Sequence, residues 1–146
     1  TWKLPGVTAR PSVLALDPGA TLGWAHLDRH GYVGGSKRWA FDAVFSLART
    51  YPADLLVVED SYLSRDPWAY KTLCRRQGEA NAVAVLVGKP LVLVQPSTWQ
   101  SQVIGRVQRD QGKQLSIAVA RRLVSPGIKT DHEADAANMA RWARGA

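Results

Sequence analysis

Apolar and polar positions fall in blocks along this chain, and the period changes from block to block. VLALD (13–17) is a continuous apolar run that ends in an aspartate followed by Pro18-Gly19, the pattern of a short strand buried on both faces. LGWAHLD (22–28) alternates, RHG (29–31) reads as a turn, and YVGGSKRWA (32–40) reads as the third strand of a meander. Gly34-Gly35 is expected to mark a bulge or kink in that strand. FDAVFSLARTY (41–51) places Phe41, Val44, Phe45 and Ala48 at helical spacing, and Pro52 stops it. DLLVVED (54–60) is a second buried strand that ends in acids. A loop, YLSRDPWAY, leads into a long helix over roughly 67–87, closed by Gly88. PLVLVQP (90–96) is a strand between prolines, and STWQSQVI (97–104) is a short helix with Ser97 as its N-cap. After the polar, basic loop GRVQRDQGK come two helices, QLSIAVARRLV (114–124) and TDHEADAANMARWARGA, the last capped by Thr130 or Asp131. Residues 1–11 show no period and read as an extended arm.

Three strands before the first helix predict antiparallel pairing, and each later strand follows a helix and is free to run parallel. The expectation is one domain over 1–146, of the α/β class, with five strands in a mixed sheet flanked by helices. No repeat, linker or low-complexity tract interrupts it.

Composition changes this picture in two ways. No stretch reaches the length of an uncharged membrane span, and TWKLPGVTARPS lacks the apolar core of a secretory signal. The lack of an initiator Met suggests a removed segment. Cys74 is the single cysteine, which rules out an internal disulfide or a cysteine zinc site and fits a reducing cytoplasm. Nineteen Lys and Arg against 12 Asp and Glu leave a net charge of +7, which points to a polyanionic partner, nucleic acid first.

Against that basic background four acids stand out. Asp17 and Glu59 end buried strands, and Asp131 and Asp135 sit in the first turn of the last helix, where His132 shares their face. Each has an ordinary explanation alone: a turn residue before Pro-Gly, a strand meeting water, acids favoured by a helix dipole, a surface histidine. If the two strands are neighbours, however, the acids converge. Converging carboxylates repel one another and resist desolvation, and hard divalent cations such as Mg²⁺ or Mn²⁺ relieve both. Asp17, Glu59, Asp135 and a neutral His132 suit two such ions per active site, with positive charge left over for a phosphodiester. The pattern favours a metal-dependent nuclease.

In that context the chain resembles the RuvC-type Holliday junction resolvases, which have the RNase H-like fold. LALDPGATLGWAHLD matches the family's first strand and its Asp-Pro-Gly turn, and LLVVEDSYL its second acidic strand. RRQGEANAVAVLVGKPLVLVQPSTWQSQVIG follows the long helix, strand and helix, and DHEADAANMARWA the closing helix. The resemblance implies that Asp17, Glu59, His132 and Asp135 are metal ligands, with Asp131 a supporting acid. It implies that Tyr62 stacks on a base at an opened junction and that Lys113 lies near the cleaved phosphate. It further implies a homodimer acting on symmetric strands of four-way DNA, in a bacterial cell or phage-infected host. The helix carrying Gly78, Ala80, Ala82, Ala84 and Val85 is the candidate interface. Arg65, Lys71, Arg75 and Arg76 are candidates to grip phosphates, and Arg106, Arg109 and Lys113 form a second basic group.

The chain is shorter than typical bacterial members, and this compactness suggests a phage-type or divergent member. A second family lysine is replaced near Trp99-Gln100, a change that would alter sequence preference or electrostatic help at the phosphate. Three other readings compete. One is an RNase H-like nuclease that cuts RNA or a hybrid with the same metal site. Another is a sugar-kinase or actin-like ATP-binding domain, which needs two lobes where this chain has length for one. The last is a junction-binding protein that does not cut.

Overall fold

The computed structural model describes residues 10–60, 66–103 and 112–145. Five strands, β1 (Val13–Pro18), β2 (Thr21–Asp28), β3 (Gly31–Arg38), β4 (Leu55–Glu59) and β5 (Leu91–Val94), form one sheet in the order β3-β2-β1-β4-β5. The first three are antiparallel neighbours, while β1–β4 and β4–β5 are parallel. This is the mixed sheet the patterning implied. Five helices flank it: α1 (Phe41–Thr50), α2 (Pro67–Val87), α3 (Pro96–Val103), α4 (Gly112–Leu123) and α5 (Asp131–Arg144).

The continuous apolar runs are explained by burial on both faces. Alternate residues of β1 and β4 (Val13, Ala15, Leu55, Val57) pack with Trp99, Ile128 and the alanines of α5. The intervening ones (Leu14, Leu16, Leu56, Val58) pack with α1 and with Ala80, Val83 and Ala84 of α2. No helix among the described residues is long and apolar enough to cross a membrane.

Capping agrees with the local sequence at three helix ends. Asp66 caps α2 by accepting from the Trp68 amide, and Gly88 ends that helix in the left-handed region with φ 68°. Thr130, rather than Asp131, caps α5 by accepting from the Glu133 amide. Ser97 does not cap α3, which begins one residue earlier at Pro96; a proline suits the first helical position because its missing N–H would have no partner there.

The Gly34-Gly35 pair is also corrected. The β2–β3 ladder runs in continuous register through Ala25↔Gly34 and Trp24↔Gly35, without a bulge. The glycines instead leave room: a Cβ on Gly34 would collide with the Tyr32 hydroxyl and lie 2.8 Å from the Trp24 carbonyl oxygen. That hydroxyl donates to Glu133 of α5, tying β3 to the start of the helix. Ser36 on β3 bonds Thr130 at 2.8 Å and adds a second tie.

Gly23 sets how closely α5 approaches the sheet. It pairs with Asp17 across the β1–β2 ladder, and a Cβ there would overlap the backbone carbonyl of His132. The first turn of α5 therefore rests directly on the β2 backbone. Gly23→Ala is expected to destabilise the protein by about 1–3 kcal/mol through this overlap, read as a lowered urea midpoint at unchanged slope. An unchanged midpoint would mean that α5 moves off β2 without loss.

Candidate active site

The alternation of side chains along a strand decides where the acids point. Asp17 follows Val13 and Ala15 on one face of β1, and Glu59 follows Leu55 and Val57 on the same face of β4. Leu16 pairs with Val58 in the parallel ladder, so the two acids come next on adjacent strands. Both face the side of the sheet that α5 covers. The α5 alanines at 134, 136, 137 and 140 are fully buried, which lets the helix lie close and brings Asp131, His132 and Asp135 to the same sheet edge.

Five sequence-predicted residues, Asp17, Glu59, Asp131, His132 and Asp135, thus meet. The His132 Nδ1 lies 3.5 Å from Asp17 Oδ2, and its Nε2 lies 3.9 Å from Asp131 Oδ1. Glu59 and Asp135 each feel the charge of Asp17, and Glu59 feels that of Asp135. Lys113, at the start of α4 and largely exposed, reaches Asp131 Oδ2 at 3.9 Å and so stands on the rim. Arg75 and Arg76 lie together on α2 beside the turn that comes after Asp17, lining a cleft with Ala20. Lys71, nearer the start of α2, lies 5.3 Å from the Trp68 ring centroid. Tyr62, Arg65, Arg106 and Arg109 lie outside the described residues.

Burial and mutual repulsion leave their mark on the acids. Desolvation first, and then the neighbouring Asp17, push the Glu59 carboxyl up to about 8. Desolvation likewise raises Asp135 to about 7, with Asp17 and Asp131 adding to the shift and the Ser116 hydrogen bond opposing it. His132 is raised above its ordinary value, mainly by its hydrogen bond to Asp17.

Three residues that hold this cluster were not recognised in the sequence. The fully buried Trp99 of α3 donates its indole N–H to Glu59 Oε2 at 3.1 Å. Ser116 of α4 donates its hydroxyl to Asp135 Oδ1. Asn138, one helical turn beyond Asp135, donates its amide to both the hydroxyl and the carbonyl oxygen of Ser116 at 3.0 Å. Trp99 marked only the point of departure from the family lysine. The polar Ser116 and Asn138 on otherwise apolar helix faces were the available signal for the other two.

The donor set is rich in carboxylate oxygen with one imidazole, and its repulsion is relieved by no arginine or lysine at its centre among the described residues. Such a set fits a hard divalent cation. Each ligand candidate is engaged by a protein partner instead: Asp17 by His132, Glu59 by Trp99 and Asp135 by Ser116. No group of three His, Cys, Asp or Glu side chains among the described residues stands in a metal-holding arrangement.

Comparison with known proteins adds to this geometry. No protein-family model matches the chain. It is 27% identical over 150 aligned residues to the crossover junction endodeoxyribonuclease RuvC of Cupriavidus pinatubonensis, covering 88% of this chain and 80% of that protein. The RuvC of Cupriavidus metallidurans matches with the same identity and coverage. The chain is thus similar in sequence to RuvC nucleases over most of its length. Its fold agrees: the Thermus thermophilus RuvC in complex with a Holliday junction substrate superposes with TM-score 0.68 at 14% identity, covering 88% of this chain and 89% of that one. The yeast mitochondrial Holliday junction resolvase Ydc2 superposes with TM-score 0.55 at 13% identity, over 96% and 80% of the two chains. The chain therefore has the RNase H-like fold, with an open mixed sheet flanked by helices.

The raised carboxyls give a pH dependence of unusual sign. Between their ordinary values, 4.5 for Glu59 and 3.8 for Asp135, and the folded values of about 8 and 7, the folded chain holds more protons than the unfolded one. Stability without metal therefore falls as pH rises through that window. His132 works in the same direction, since the stability gained from its charged form is lost as pH rises through its raised folded value. In EDTA the melting temperature is expected to be higher near pH 5 than near pH 8, with a smaller difference in Glu59→Gln. A melting temperature that climbs from pH 5 to pH 8 would contradict the shifts.

Proposed function

We propose that this protein is a structure-selective endonuclease that resolves four-way DNA junctions by metal-dependent phosphodiester hydrolysis. The observation that carries the reading is the meeting of Asp17, Glu59, His132 and Asp135 from three separate elements at one sheet edge. The sequence similarity to RuvC nucleases and the net charge of +7 support it.

In this reading Asp17, Glu59, His132 and Asp135 hold the metal, Mg²⁺ or Mn²⁺, at two ions per site. When bound, such ions activate a water and stabilise the leaving 3′ oxygen. The chain's own contribution is position and charge. The carboxylates are fixed by strand register, while Trp99 and Ser116 limit the swing of Glu59 and Asp135. Lys113 stands where a positive charge near the cleaved phosphate favours the developing negative charge. Tyr62 stacks on a base at the opened junction centre. Arg65, Lys71, Arg75, Arg76, Arg106 and Arg109 hold the backbone without reading sequence.

A labelled four-way junction, incubated with and without Mg²⁺ or Mn²⁺ beside duplex DNA and an RNA–DNA hybrid, tests the reading. Symmetric nicks in the junction that require metal are expected. Asp17→Asn, Glu59→Gln and Asp135→Asn are expected to abolish them while junction binding persists, because each removes a ligand and no positive charge. Preferential cutting of RNA or hybrid would keep the metal site and replace the substrate. Binding without cutting would leave a junction-binding protein.

Paired nicking calls for two sites, and α2 supplies a surface for a second copy. Val85 is 72% and Leu86 62% exposed, and the space around Gly78 is open. Apolar side chains that exposed on a helix whose other face is buried favour self-association. Sedimentation is expected to show a dimer for the native chain and a monomer for Val85→Glu; a dimer in both would place the interface elsewhere.

A further inference from the structure

Across the sheet from α5, near the β1–β2 turn, lies a second feature that the acids do not explain. The end of β3 and the middle of α2 enclose a cleft of about 460 Å³, lined by Ala20, Arg38, Trp39, Arg75, Arg76 and Glu79. Its floor is rigid. Trp39 is buried, its backbone N–H donates to the Ala20 carbonyl at 3.1 Å, and its indole N–H donates to Glu79 Oε1 at 3.3 Å. Arg38 ends β3 and is held in the ladder opposite Thr21. Arg75 and Arg76 enter from the other wall, on α2.

The charges in the cleft do not balance. Three guanidinium groups face one carboxylate, and that carboxylate accepts from the indole. Among the described residues none of the three arginines makes a salt bridge. The Arg76 guanidinium lies below its ordinary value, through burial first and then the Arg75 charge, with the Glu79 carboxylate opposing the shift only in part. Guanidinium forks suit the oxygens of a phosphodiester. The cleft's position is equally specific, because Ala20 is the third residue after Asp17 in the β1–β2 turn. An anion seated there lies at the same end of the sheet as Asp17, on the face that α2 covers rather than the one that α5 covers.

We propose that this cleft seats one backbone phosphate of the DNA strand that passes Asp17, with Arg38 as a ligand alongside Arg75 and Arg76. It sets the register of the strand in the site. The proposal rests on the junction-nuclease reading and adds to it a defined phosphate seat, a role for Arg38 and an opposing role for Glu79, whose charge weakens the seat while its hydrogen bond holds Trp39.

The test is binding of a fluorescent four-way junction in EDTA over a range of NaCl concentrations, with Arg38→Gln, Glu79→Gln and, as a remote charge control, Arg49→Gln. Arg49 lines a separate groove between the ends of α1 and α2. Arg38→Gln is expected to weaken binding by roughly tenfold at low salt and to flatten the log Kd against log salt slope by about 0.9, the loss of one phosphate contact. Glu79→Gln keeps an acceptor for the indole and is expected to tighten binding, while Arg49→Gln leaves the slope unchanged. A slope for Arg38→Gln equal to that of Arg49→Gln, or weaker binding by Glu79→Gln with its melting temperature intact, would overturn the proposal. Junction cleavage by the native chain in Mg²⁺ is measured in parallel. Native protein that binds but fails to cut, with the Arg38 slope change present, would remove the nuclease reading and leave the phosphate seat. Normal cutting without the slope change would do the reverse.

Discussion

The site depends on one contact, the seating of the His132 carbonyl over Gly23. A sheet can bring two carboxylates together by register alone, as β1 and β4 do. The third and fourth groups must come from a different layer, which intervening side chains ordinarily hold off the sheet backbone. Gly23 and the buried alanines of α5 close that gap. Thr130 fixes where the helix begins, and the Tyr32–Glu133 and Ser36–Thr130 hydrogen bonds fix its rotation against the meander. Without these, His132 and Asp135 would share a helix face but not a site.

Bringing acids together works against folding, and the surrounding residues show how that opposition is managed. Trp99, Ser116 and His132 each give one acid a donor, and Asn138 in turn orients Ser116. These donors compensate only in part, as the raised values of Glu59 and Asp135 show. The remaining imbalance is what a cation removes. The arrangement is therefore a cluster of acids held by strand ends and by hydrogen-bond donors rather than by a closed cage.

Much of this was legible because it is local. Continuous apolar runs ending in Asp17 and Glu59 located both strands and both acids, and the spacing of His132 and Asp135 placed them on one helix face. The boundaries of α2 were marked by Asp66-Pro67 and by Gly88. What was not legible was long-range. Gly34 looks like a strand defect until the Tyr32 hydroxyl is seen above it, and Gly23 looks like an ordinary small residue until α5 is seen beneath its missing Cβ. Trp99 and Glu59 are 40 positions apart and Ser116 and Asp135 are 19 apart, so neither pair can be read from any helical or strand period. Ser97 misled because its capping chemistry is right and only the neighbouring proline decides against it.

The order of the elements has a temporal consequence. Asp17 lies on β1, the first strand of the sheet, and Asp135 on α5, the final helix of the described fold. During synthesis the sheet can pair while the strand acids Asp17 and Glu59 still lack their helical counterparts, because α5 is the last of these elements to leave the ribosome. A chain interrupted anywhere before α5 would carry strand ends and basic surface but no complete acid cluster. The full acid cluster, with its mutual repulsion, therefore arises only once α5 has been made, so the sheet forms before it has to bear that cost.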